Sequence, residues 1–215
     1  MYTKNRQNAF ESKLGMMQKI SNNLNLSILL AIILISSISL AYAISDAEMW
    51  NNKGVELEKA GKYADAIKAY DQAIKLDPKY IEAWNNKGVA LFNSGRYEVS
   101  IRVYDQAIKL DPKYIEAWYN KGNALDELGK YADAIKAYDQ AIKLDPKYIE
   151  AWNNKGVALF NSGKYEVSIK VYDQAIKLDP NDADVWYNKG VALEKLGKYE
   201  EAEKCFAKFK ELEKD

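Results

Sequence analysis

Histidine is absent from the 215 residues, and with it the side chain most used for proton transfer near neutral pH and for zinc or copper ligation. Cys205 is the only cysteine, so one chain can form neither an internal disulfide nor a multi-cysteine metal site. Its counterparts at 34-residue steps, Ala69, Val103, Ala137 and Val171, are small and apolar, which marks Cys205 as a packing residue. Carboxylates are abundant enough for paired acid–base work, but they recur at fixed positions with lysines nearby, as on solvated helix faces. The glycines after residue 45 all fall on one period, leaving no phosphate-cradling loop. The expectation is a non-catalytic protein with no cofactor and no metal.

The elements behind this pattern begin with charge. The balance of 48% hydrophobic and 29% charged residues is that of a folded chain. Net charge is zero, but residues 1–45 hold Lys4, Arg6, Lys13 and Lys19 against Glu11, so the remainder has 27 basic and 30 acidic side chains. A mildly acidic body without a clustered basic surface argues against nucleic acid as a partner.

Residues 1–25 read as a basic polar region and residues 26–44, LSILLAIILISSISLAYAI, as a charge-free apolar run. As a helix, its 19 residues would reach roughly 28 Å, close to the thickness of a bilayer core. The run ends in Ala41-Tyr42-Ala43, the small-x-small pattern of a signal-peptidase site. Two outcomes stay open: a signal peptide cleaved near Ala43, or a transmembrane anchor that ties the protein to the membrane. Basic residues before the run and Asp46 and Glu48 after it put the N-terminus in the cytoplasm and the body outside. Ser45 and Glu48 have capping-box spacing, so the first helix of the body should start directly after this segment.

Beyond it all five tryptophans, Trp50, Trp84, Trp118, Trp152 and Trp186, stand 34 residues apart. Glycine follows each four residues later and leucine three after that (Gly54 and Leu57 in the first copy), on one helical face where glycine lets another helix approach. A second glycine, Gly61 and its counterparts, falls where a helix needs a left-handed terminal residue. A second amphipathic helix then opens on tyrosine, and Leu-Asp-Pro closes four of the copies, at Pro78, Pro112, Pro146 and Pro180. Copies two and four are nearly identical, differing mainly by Arg96 against Lys164 and Arg102 against Lys170, as if a 68-residue pair had been doubled.

The pattern W-x-N-K-G-x-x-L-x-x-x-G-x-Y-x-x-A-I-x-x-Y-D-x-A-I-x-L-D-P resembles the tetratricopeptide repeat. It covers residues 47–80, 81–114, 115–148, 149–182 and 183–215 as five copies. The resemblance implies an all-α fold, a right-handed α-solenoid of helix-turn-helix units, here with an N-terminal hydrophobic helix. One departure is Lys53, Lys87, Lys121, Lys155 and Lys189 where leucine is customary; a lysine stem can lie along apolar surface with its ammonium in water. Ile67 and Ile74 and their counterparts mark a stripe for the following repeat, which becomes Glu203 and Lys210 in copy five. Ala90, Ala124, Ala158 and Ala192 become Glu56 in copy one. Both ends of a five-unit array should therefore be solvated.

By the same resemblance the first helices line a concave groove that receives protein or peptide partners. Asn52, Asn86, Asn120, Asn154 and Asn188 either bond a peptide backbone, as an amide can by donating and accepting, or only tie neighbouring repeats together. Further groove positions are Asn51, Asn85, Tyr119, Asn153 and Tyr187, then Val55, Val89, Asn123, Val157 and Val191, with Phe92 and Phe160 beyond. Glu58, Asp126 and Glu194 occupy the counterparts of the two phenylalanines, so packing does not demand an aromatic there; each ring is either a partner anchor or a tucked core residue. The lysine and arginine clamp that some family members use for a C-terminal carboxylate is not matched, because Glu48, Glu82, Glu116, Glu150 and Asp184 flank the groove. The function expected is an interaction scaffold or assembly factor outside the cytoplasm, the alternative a self-associating envelope protein.

Overall fold

The computed structural model describes Lys19, Leu26, Ile28, residues 30–34 and residues 46–213. Ser45, Ala41 to Ile44 and most of the apolar run lie outside the described residues, and with them the capping box and the cleavage site. Residues 30–34 are helical and solvent-exposed. Among the described residues no helix is long and apolar enough to cross a membrane.

From residue 46 the chain runs through ten helices: α1 (residues 46–59), α2 (Tyr63–Leu76), α3 (Ile81–Asn93), α4 (Tyr97–Leu110), α5 (Ile115–Glu127), α6 (Tyr131–Leu144), α7 (Ile149–Asn161), α8 (Tyr165–Leu178), α9 (Ala183–Lys195) and α10 (Tyr199–Leu212). No strand occurs among the described residues. Helices this short are marginal alone, so each must gain stability from its neighbours.

Within a pair, the turn is set by glycine. Gly129 has φ +68°, and the N–H of Lys130 donates to the carbonyl of Leu125 at 2.9 Å, which closes α5 in a Schellman turn. Packing of the pair rests on the other glycine: a Cβ on Gly122 would lie 2.5 Å from Cε1 of Tyr138. That ring is 1% exposed and its hydroxyl donates to Asn123 Oδ1 at 2.8 Å, so it has nowhere to retreat. Gly190 holds the same relation to Phe206.

Between pairs, the alanines of the first helices, Ala90, Ala124, Ala158 and Ala192, are completely buried. Ile101 of α4 packs on a cluster of Leu125, Ala134, Tyr138 and Ala158, and Ile169 of α8 on Leu193, Ala202 and Cys205. Trp84, Trp118, Trp152 and Trp186 each donate their indole N–H to the carbonyl of the proline six residues before, at 2.9–3.1 Å, fixing the turn between repeats. Glu56, Glu203 and Lys210 are exposed at the two ends, as their positions required.

Lysine at the leucine position proves to be more than a solvated stem. Lys87, Lys121, Lys155 and Lys189 meet Asp71, Asp105, Asp139 and Asp173 of the preceding repeat at 2.6–2.7 Å, with the lysine side chains only 17–22% exposed. Each ammonium also lies 5.3–5.7 Å from the ring centre of its own repeat's tryptophan. In copy five the aspartate position becomes Ala207.

First helices of successive pairs approach backbone to backbone (α3 with α5, α5 with α7, α7 with α9), whereas second helices of successive pairs stand farther apart and meet only through side chains such as Ile101 and Ile169. The stack therefore curves into an α-solenoid with its first helices on the inner wall.

Gly122→Ala is expected to lower stability by about 1–3 kcal/mol despite alanine's better helix propensity, because the Tyr138 ring must shift. Gly129→Ala should cost only about 1 kcal/mol, from its positive φ alone. Urea midpoints of the two variants, ranked in that order, check the assignment.

Candidate peptide-binding groove

The inner wall is built from positions that α1, α3, α5, α7 and α9 present at the same register. The asparagines two after tryptophan form a ladder: Nδ2 of Asn86 donates to Asn51, Asn120 to Asn85 and Asn188 to Asn153, each at 3.1 Å. Asn154 donates to the Tyr119 hydroxyl at 3.0 Å and to Asn123 Oδ1 at 2.9 Å. These amides thus tie neighbouring repeats together in this structure. Asn51 and Asn85, 6% and 7% exposed, are covered by the ladder, while Asn52, with no repeat before it, is exposed. An amide has two N–H groups and a carbonyl, so the ladder consumes only part of the capacity of Asn86, Asn120 and Asn188.

Apolar positions alternate with this ladder. Val55, Val89, Val157 and Val191 are half-buried. Tyr119 packs between Tyr148, 4.9 Å away, and Tyr138 at 6.1 Å, while Tyr187 is exposed against Phe206 and Phe209. Phe92 and Phe160 are both half-buried, each set on the tyrosine that opens the next helix, Tyr97 at 5.2 Å and Tyr165 at 5.1 Å. Phe160 also packs against the cluster of Tyr172, Val185 and Ala192. Each phenylalanine is thus partly a packing residue and partly accessible. Depressions of about 330 and 240 Å³ lie along this wall, the first between Glu58, Tyr70 and Val89, the second between Phe92, Asp126 and Val157. Larger hollows of about 480 and 540 Å³ open elsewhere, between the tryptophan side of a first helix and the lysines and aspartates of the second.

Electrostatically the register of Glu58, Phe92, Asp126, Phe160 and Glu194 alternates acid and aromatic. Glu58 accepts from the Tyr70 hydroxyl at 2.9 Å and from Asn93 at 3.1 Å. Burial still holds its carboxyl above the ordinary range, those two bonds opposing the shift. Asp126 has no such donors: its Oδ1 is the one buried side-chain polar atom without a hydrogen-bond partner among the described residues. Burial, with the Glu127 charge adding to it, pushes Asp126 up to about 6. The cause is local. Asn123 replaces the valine of the other copies and accepts the Tyr138 hydroxyl, whose counterpart in copy one, that of Tyr70, serves Glu58. Nothing in the sequence pattern alone singles out Asp126; the signal was Asn123 breaking a column of valines. Among the described residues no group of carboxylates or thiol could hold a metal ion.

Models of the tetratricopeptide repeat match residues 51–115, 92–149 and 119–181, and a second such model matches 171–204. The chain belongs to the tetratricopeptide repeat family. Solved structures with this fold include MamA, 28% identical with a TM-score of 0.70 over 75% of this chain and 94% of that one. MamA from Desulfovibrio magneticus RS-1, from residue 41 to the end, is 24% identical with a TM-score of 0.73 over 79% and 96%. YrrB, a TPR protein with an unusual peptide-binding site, is 23% identical with a TM-score of 0.66 over 82% and 93%. No curated protein matches the chain.

Because the folded state holds its Asp126 proton to higher pH than the unfolded state, it is penalised once pH rises through the interval from about 4 to about 6. Asp126→Asn should therefore match the parent below pH 4 and exceed it at pH 7. With solvent screening at a half-exposed site the gain is roughly 1 kcal/mol, or about 2–4 °C in thermal midpoint. Melting curves at pH 4 and 7 read it directly.

Proposed function

We propose that the protein is a non-catalytic scaffold or assembly factor that holds extended segments of partner proteins along its inner wall, outside the cytoplasm. Membership of the tetratricopeptide repeat family supports protein interaction as the general role, and YrrB shows that the same fold is compatible with a peptide site. The observation that carries the reading is the composition of the curved inner wall. Half-buried aromatic rings at Phe92, Tyr119 and Phe160 stand along the same wall as amides at Asn86, Asn120 and Asn188 that keep unused donors and acceptors, while Asn154 has both N–H groups engaged. Rings of this kind anchor side chains, and spare amide groups bond an extended backbone, which has a donor and acceptor at every residue. Val89, Val157, Asn123, Asn153 and Tyr187 complete the surface, while Asn52 and Asn86 extend it toward the first repeat; Asn85 lies covered beneath the ladder.

The location rests on sequence: a basic N-terminus, the apolar run 26–44 and the Ala-Tyr-Ala motif before the acidic start of the body. The partner would accordingly be an envelope or secreted protein, with the membrane engaged through the N-terminal run wherever it is retained.

A photo-crosslinking residue at Tyr119 is expected to trap a partner from the native membrane and envelope fraction, while the same residue at Gln106, on the outer helix α4, should trap none. Phe92→Ala with Phe160→Ala should reduce trapping at Tyr119 about tenfold or more without loss of helicity. Equal trapping at Tyr119 and Gln106, or indifference to the double substitution, would remove the groove from the account.

A further inference from the structure

We infer that the depression in the middle of the inner wall seats a lysine or arginine side chain of the bound polypeptide, with Asp126 as its counter-charge; this rests on the groove reading above. Three observations converge on it. The first is the orphaned acceptor: Asp126 Oδ1 is out of contact with water and has no donor, where every other buried side-chain polar atom among the described residues is satisfied. A carboxylate left in this state is costly, and a cation seated beside it offsets that cost through its charge more than a neutral group can.

The second is that the vacancy is built into the sequence. In copy one, Tyr70 and Asn93 satisfy Glu58. In copy three, Asn123 accepts both the Tyr138 hydroxyl and an N–H of Asn154, so the hydroxyl matching that of Tyr70 is engaged away from Asp126. Asn123 stands where the four other copies have valine, so the tyrosine hydroxyl is drawn to an amide at this repeat only.

The third is the form of the site. The depression of about 240 Å³ is lined by Asp126 and Glu127, by the rings of Phe92 and Tyr138 and by the valine stem of Val157, with no basic side chain among its walls. Two carboxylates give the charge, and the rings and the valine accept an alkyl stem or the flat face of a guanidinium. An acidic or purely apolar side chain would leave that charge without compensation.

The test uses immobilised capped heptapeptide pools, randomised except for a central arginine, lysine, citrulline or norleucine, probed with the full chain in mild detergent. The parent should bind the arginine and lysine pools about tenfold or more above the citrulline and norleucine pools. Asp126→Asn, an isosteric change at an atom that bonds nothing in the protein, should bring all four pools to the same level while still binding them. Phe92→Ala should weaken all four together and keep the preference for the basic pools. Equal binding of arginine and citrulline by the parent, or a preference that survives Asp126→Asn, overturns the basic seat and leaves the groove intact. If the parent retains no pool at all, the groove reading fails and this inference with it.

Discussion

The close approach of one aromatic ring to one glycine in every repeat governs the rest of the molecule. Tyr70, Tyr104, Tyr138, Tyr172 and Phe206 lie where a Cβ on Gly54, Gly88, Gly122, Gly156 and Gly190 would have to go, so the two helices of each pair are held at a separation that only glycine permits. The four tyrosines are also buried, and burial is what holds the pKa of their hydroxyls far above the ordinary value. With the pair fixed in that way, one apolar face of each hairpin is left uncovered, and only the next hairpin can cover it.

The ties between hairpins are divided by depth. Alanines and isoleucines supply the dry middle, a tryptophan–proline bond and a lysine–aspartate pair hold the outer flank, and an asparagine ladder runs along the inner wall. Half-exposed ion pairs add little stability individually, but their geometry fixes the register of one repeat on the next. Because Asn86, Asn120 and Asn188 have groups to spare, the proposed groove would use for recognition the residues that join the repeats. At Asp126 a buried oxygen without a donor costs the free protein stability, a cost that the proposed basic seat would recover on binding.

The helix pairs, their turns and the two solvated ends were legible because each depends on a residue type at a fixed place in a 34-residue period: glycine at positive φ, proline after the second helix, isoleucine giving way to Glu203 and Lys210. The lysine–aspartate pairs were harder to see, since Lys121 and Asp105 belong to different repeats and meet only after stacking. The groove was legible as a set of positions, not as a set of states. Whether Asn85 is covered or Phe160 half-packed depends on the neighbouring repeat, which periodicity alone does not describe. Asp126 depends on a hydroxyl being diverted to Asn123, a competition visible only in three dimensions.

The claim that each hairpin is held by its neighbours is tested most directly by native-state hydrogen exchange of the backbone amides. Protection should be greatest in α5, α6 and α7, which have repeats on both sides, and fall stepwise toward α1 and α10. Hairpins that exchange independently with equal protection, or a stack whose end helices are as protected as its middle, would contradict the account.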